Sequence, residues 1–214
     1  MPIYLKIFVG GIVLLLLQSC MEMEGQDQLP SSDYFISKQK DTTPYILYIS
    51  EEYIHLDNGQ KVHLPALSDD SIQALFIIRH AEEDSIGLDP GLSDAGNARA
   101  TRLVALMRHA HLEQLYSILF RRTVLTIRPL VKAYGLKIEH YDPDQVNYLT
   151  RYRIPDHSGN SLVVGTRQSV PILLNLLTGT EDYTTIPKPV YDRMYIVIPS
   201  ESESEEVKVY CFRY

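Results

Sequence analysis

The sequence predicts an α/β fold, a three-layer sandwich in which a mostly parallel sheet is flanked by helices, and three observations carry that expectation. Residues 74–78 (ALFII) are unbroken apolar and end abruptly in Arg79 and His80. Such a run is too short for a buried helix and too continuous for a half-exposed strand, so it reads as a strand covered on both faces. Further short apolar runs, near 115–117, 136–141 and 162–165, alternate with helical stretches, the rhythm of a parallel sheet built from βαβ units. The helices are punctuated as helices should be: Ser93 stands as N-cap before Leu103, Leu106, Met107 and Ala110 at helical spacing, and Gly179 closes a second helix over 170–177.

Taken in order, the chain of 214 residues begins with a stretch apart from that sheet. Lys6 precedes an apolar run over 7–17. A membrane-spanning helix takes about 20 residues, so this run reads as the apolar region of a signal peptide covering 1–19. Residues 20–43 are polar and poor in aromatics, the composition of a flexible tether that holds the folded domain on the order of 25 Å from its anchor. Residues 44–66 contain two runs rich in Tyr, Ile, Val and His around Asp57-Asn58-Gly59, a strong turn signal, and form an N-terminal β-hairpin element. His55 and His63 flank that turn and read as surface residues rather than metal ligands. The main domain occupies 67–214. In it the third strand at 136–141 is followed by a helix over 144–153, and strands at 194–198 and 207–212, separated by an acidic Ser-Glu run, form a C-terminal edge hairpin.

The net charge of −7 excludes nucleic acid as a partner, so any anion site must be a local basic pocket. Two such clusters stand just beyond strands: Arg79-His80, and Arg121-Arg122-Thr123 after the second strand. In open α/β sheets ligands collect at the carboxyl ends of the strands.

Leu17-Gln18-Ser19-Cys20 resembles a bacterial lipobox. The resemblance implies removal of residues 1–19, lipidation of Cys20, and a membrane-anchored lipoprotein of the bacterial cell envelope on its periplasmic or surface side. Cys211 is then the one remaining thiol, which excludes an intramolecular disulfide.

FIIRHA at the first strand end, LSDAG at the first helix start, YSILFRRT at the second strand end, Tyr-Asp-Pro at 141–143 and SLVVGTRQSVP at 161–171 succeed one another in fixed order over roughly 74–198. Together they resemble the histidine phosphatase superfamily, also called phosphoglycerate mutase-like. The resemblance implies that His80 is the phosphoryl-accepting nucleophile and that Arg79 and Arg122 grip the phosphoryl oxygens, with Arg121 assigned to solvent. It implies no cofactor. A general acid must protonate the leaving oxygen; Asp142, Glu82 and Glu83 lie in reach, with Asp142 and Glu82 preferred.

The sequence departs from the pattern at one place. Where the family carries a second His after its last strand, this chain has Thr166, followed by Arg167. No His occurs after His157. Loss of one preorganised donor typically costs ~10² to 10³ in rate. Thr166 and Arg167 are the candidates to complete the phosphate site. The expectation is a domain that binds phosphoryl groups of a small molecule or protein in an Arg79/His80/Arg122 pocket with catalysis weak or lost. The alternative is an active phosphohydrolase working through a phosphohistidine at His80.

Overall fold

Strand β4 (Leu75–Arg79) lies inside a six-stranded sheet and is buried along its whole length. The structure, a computed structural model, describes residues 41–155, 158–199 and 207–214. The expected signal peptide, Cys20 and most of the tether lie outside those residues, as do His157 and the Ser-Glu run. Residues Asp41–Tyr214 form one unit. Among the described residues no helix is long and apolar enough to cross a membrane.

The small antiparallel sheet comes first: β1 (Ile46–Ile49), β2 (Tyr53–Leu56) and β3 (Lys61–His63). A hairpin is expected here, and the Asn58-Gly59 turn makes one between β2 and β3, with Gly59 at φ 82°. β1 adds a third strand to it. The main sheet comprises β4, β5 (Leu112–Ser117), β6 (Ile138–His140), β7 (Asn160–Gly165), β8 (Arg193–Ile198) and β9 (Lys208–Arg213), in the order β6-β5-β7-β4-β8-β9. The first four of that order run parallel, β8 is antiparallel to β4, and β9 is antiparallel to β8. Helices α1 (Asp94–Leu106), α2 (Arg121–Tyr134) and α3 (Ser169–Thr178) cover it.

The two-residue period of a strand divides β4 between two cores. Phe76 and Ile78 join Leu103 and Leu106 of α1 and Ile127 and Leu130 of α2 in one cluster, which also takes in Ile46, Ile54 and Leu56 of the small sheet. Leu75 and Ile77 join Leu173 and Leu174 of α3, with Ile186, in the other. Each such side chain contributes roughly 1.5–3 kcal/mol by leaving water. The small sheet is therefore fused into the main core. Asn160 fastens the junction by accepting from Ala74 N and donating to the carbonyls of Ala66 and Ala110, at 2.7–2.9 Å.

The helix expected over 144–153 resolves differently. A 3₁₀ turn at Pro143–Gln145 leads into an α turn at Val146–Tyr148 and a π-helix at Leu149–Arg153. Val146, Leu149 and Ile154 still turn inward, so the apolar pattern is satisfied by burial while the backbone hydrogen bonding is irregular. Conversely, Pro129 sits inside α2 without ending it. The helix closes instead at Gly135, whose φ of 72° is the left-handed conformation glycine adopts freely.

Candidate active site

The carboxyl ends of β4, β5 and β7 meet around His80. Its N–H donates to Gly165 O at the end of β7 (2.9 Å), and the next residue's N–H, Ala81, donates to Thr126 Oγ1 of α2 (2.9 Å). With alternating strand faces, Arg79 falls on the α3 side and His80 on the side of α1 and α2. Arg122 reaches His80 on that side, while Arg79 is tied to the segment ahead of β8.

His80 is 2% exposed. Its Nδ1 lies 2.8 Å from Ala81 O, and Arg122 Nε donates to its Nε2 at 3.3 Å. A carbonyl only accepts and a guanidinium only donates, so Nδ1 carries the proton and Nε2 carries the lone pair. Burial pushes the imidazole down to about 4; the Ala81 carbonyl and Glu82 oppose that, while Arg79 and Arg122 add to it. At neutral pH His80 is thus an uncharged imidazole with one oriented basic nitrogen.

Arg79, 3% exposed, is more occupied than a free phosphate clamp. Its Nη1 donates to the carbonyls of Pro187 (3.3 Å), Lys188 (2.7 Å) and Val190 (2.8 Å), and its Cζ lies 3.8 Å from the centre of the Tyr191 ring. Burial pushes this guanidinium down, and Tyr191 and Glu83 hold it up. Its Nε is buried with no hydrogen-bond partner. An orphaned charged donor of that kind costs free energy, about 1–3 kcal/mol or more, unless an acceptor arrives.

Arg122 opens α2. Besides His80 it meets Glu83 Oε2 (3.2 Å from Nε) and Asp89 Oδ1 (3.7 Å from Nη1), and it stacks on Phe120 (4.7 Å). The Arg121 side chain is exposed, and its N–H donates to Asp89.

The proposed proton donors are placed less favourably. Glu82 is gripped by Arg99 at 2.6–3.2 Å. Burial alone raises its carboxyl, but the Arg99 hydrogen bonds and charge hold it below the usual carboxylate range. Asp142 follows β6, the sheet edge, and accepts from Asp144 N (2.9 Å) beside a cavity of about 310 Å³ that also takes in His140 and Arg153. Two strands, β5 and β7, separate β6 from β4. At about 4.8 Å per strand that is on the order of 14 Å.

Thr166 and Arg167 are also committed. Thr166 Oγ1 accepts from the N–H groups of Ser169 (3.1 Å) and Gln168 (3.3 Å), and Ser169 Oγ accepts in return from Thr166 N (2.9 Å). That is a helix cap for α3, a role Ser and Thr favour for the same reason anywhere. Arg167 Nε donates to Ile186 O (3.1 Å). Behind both, Gly165 has no room for a side chain: a Cβ there would lie 2.5 Å from Ser169 Oγ and 3.2 Å from the Tyr141 hydroxyl.

Sequence reasoning missed Tyr191, Asp89 and the 187–190 carbonyls. The available signal was Ile186-Pro187-Lys188-Pro189-Val190, whose two prolines favour an extended segment just ahead of β8. Among the described residues no group of three His, Cys, Asp or Glu side chains converges as metal ligands.

No family model matches this chain, and no curated relative does. Solved structures do. The protein histidine phosphatase SixA complexed with tungstate superposes with a TM-score of 0.53 at 15% identity, covering 65% of this chain and 96% of that one. The alpha-ribazole phosphatase from Shigella flexneri gives 0.53 at 12%, covering 66% and 96%. The mycobacterial glucosyl-3-phosphoglycerate phosphatase with inorganic phosphate gives 0.52 at 12%, covering 66% and 97%. At these identities the likeness is one of fold, and the fold shared is that of the histidine phosphatases.

Proposed function

On the premise of a histidine phosphatase fold, we propose that this chain binds the phosphoryl group of a phosphorylated small molecule or protein between Arg79, His80 and Arg122 and accepts it on His80, with slow turnover. The observation that carries the reading is His80 itself: buried, neutral, and tautomerically set so that Nε2 faces Arg122. Fold neighbours with tungstate and inorganic phosphate support an oxyanion as ligand.

In that reaction the Arg122 N–H passes from Nε2 to a phosphoryl oxygen, Nε2 attacks phosphorus, the bond to the leaving oxygen breaks, and that oxygen takes a proton from a carboxylic acid; water then cleaves the phosphohistidine, its proton returning to the carboxylate, and inorganic phosphate and free imidazole are released. The unpartnered Arg79 Nε is a donor awaiting a phosphoryl oxygen. Glu83, whose Oε2 approaches the same Arg122 Nε as His80 does, is the carboxyl assigned to that proton, given from its acid form. A second His is absent, which keeps the rate low.

A second reading, binding without turnover, is favoured by the carboxylates of Glu83 and Asp89 already lying on Arg122. Incubation with phosphoramidate separates the two. Turnover predicts an acid-labile, base-stable phosphate on wild type and none on His80→Ala. An unlabelled wild type that still binds orthovanadate leaves only the binding reading. The lipobox-like Leu17-Gln18-Ser19-Cys20 supports a membrane-anchored location; a mature protein with the same mass and detergent partitioning as Cys20→Ser would end that part of the proposal.

A further inference from the structure

Thr166 stands where the resemblance calls for a second His, and its hydroxyl is spent on the start of α3. Arg167 beside it is turned to Ile186. The fourth side of the pocket is closed from elsewhere, by the segment that leads into β8. Ile78 of β4 pairs with Met194 of β8 in antiparallel register. Carried three residues further, that register sets Tyr191 opposite Ala81, next to His80. The side chain is where the register puts it: the Tyr191 ring meets the His80 ring edge-on, 5.8 Å between centres, and covers the Arg79 guanidinium at 3.8 Å.

We propose that the Tyr191 phenol is the fourth donor of this pocket, giving its O–H to the phosphoryl oxygens held at His80 in place of the missing imidazole. The assignment rests on the phosphoryl reading of the Arg79/His80/Arg122 pocket. Three features support it. The phenol is a neutral donor, which suits a site whose cations, Arg79 and Arg122, already flank the nucleophile. Its backbone is held before any ligand arrives: Arg79 takes the carbonyls of Pro187, Lys188 and Val190, and Arg167 and Ile186 exchange two backbone-directed hydrogen bonds, from Arg167 Nε and from Ile186 N. A donor held in advance needs no reorganisation when charge develops. Finally, Arg79 Nε is buried and unpartnered beneath the same ring. An oxyanion between His80 and Arg79 satisfies that donor and lies against Tyr191.

Tyr191→Phe keeps the ring on Arg79 and His80 and removes only the hydroxyl. Orthovanadate, which mimics the five-coordinate phosphorus of transfer, and inorganic phosphate are titrated into wild type and the variant. The hydroxyl's loss is expected to weaken vanadate about 10-fold or more and phosphate by less than about 3-fold, since a donor aimed at the transition state discriminates between the two. Tyr191→Leu, lacking the stacking as well, should fall at least as far. Vanadate affinity unchanged or improved in Tyr191→Phe overturns the assignment, an improvement marking the ring as a plug. A wild type that binds neither anion and takes no phosphate on His80 overturns the phosphoryl reading, and this assignment with it.

Discussion

The Nε–H of Arg122 points at Nε2 of His80 across 3.3 Å, so the basic nitrogen of the imidazole is held by a cation that donates to it and keeps its own proton. Protonating His80 requires that contact to break, in a buried site with a second guanidinium nearby. The nucleophilic form therefore persists far below neutrality. Labelling of His80 by phosphoramidate should keep its rate constant, corrected for ionisation of the donor, from pH 7 to about 5 and fall with a midpoint near 4. A midpoint at 6 to 7 would show an ordinary solvated histidine and sink that account.

The same shift has a consequence for stability. Burial sets the folded value near 4 against 6.5 for an unperturbed imidazole. Above 6.5 both states hold the neutral ring and the group contributes nothing to pH dependence. As pH falls from 6.5 towards 4, the unfolded chain gains a proton the folded chain refuses, and the native state loses about 3 kcal/mol. Urea unfolding of wild type and His80→Gln at pH 7 and pH 4.5 should show the wild type losing more stability by about 2 kcal/mol, the part of that loss reached by pH 4.5. Parallel losses in the two proteins would mean His80 is not buried neutral.

Glu83 is separable from the other carboxylates by its substrate dependence. An acid that protonates the leaving oxygen matters for alkyl phosphates and little for aryl phosphates whose phenolate leaves unaided. Glu83→Gln should lower kcat on an alkyl phosphate by ~10²-fold and on 4-nitrophenyl phosphate by less than about 3-fold. Equal losses on both would assign Glu83 to holding Arg122 rather than to proton transfer.

Gly96 sits where α1 passes directly against the backbone of Glu82. A Cβ at residue 96 would sit 2.1 Å from the carbonyl oxygen of Glu82, a contact against backbone. The same oxygen accepts from Ser93 N at 2.9 Å and Ser93 Oγ at 3.2 Å. Alanine is the better helix former by about 1 kcal/mol, yet overpacking against backbone of this kind costs about 3 kcal/mol. Gly96→Ala is accordingly expected to destabilise by about 2 kcal/mol or more in denaturant unfolding and to displace Glu82 from Arg99. A variant as stable as wild type would show that α1 can slide away from that carbonyl.

What was legible in the sequence was whatever burial and backbone geometry write into it directly. Residues 74–78 declare a doubly covered strand because every one of them is apolar. Ser93 and Gly179 declare helix ends because few other residues cap them so well, and Arg79-His80 and Arg121-Arg122 stand where strands stop, with the family resemblance singling out His80 and Arg122. Partners across the sheet were less legible. Thr166 reads as a vacancy in a binding site until its hydroxyl is seen bonding the first N–H groups of α3. Asp142 reads as near the pocket because it follows a strand, but that strand is the edge one. Tyr191 lies more than a hundred positions from His80 in the chain and meets it through β8, a pairing that no local pattern announces.

That pairing also decides when the protein becomes whole. Leu75 sits beside Ser161 on one flank and Val197 on the other, so the strand leading to His80 has neither neighbour until most of the polypeptide has been synthesised. Closing such long loops is the slow step in acquiring a sheet. During translation the Phe76–Ile78 stretch must wait, unpaired and strongly apolar, while the ribosome delivers β7 and then β8. A nascent chain stalled before residue 193 would carry His80 and both arginines yet expose one bare edge of its central strand, and would be a client for chaperones rather than a pocket.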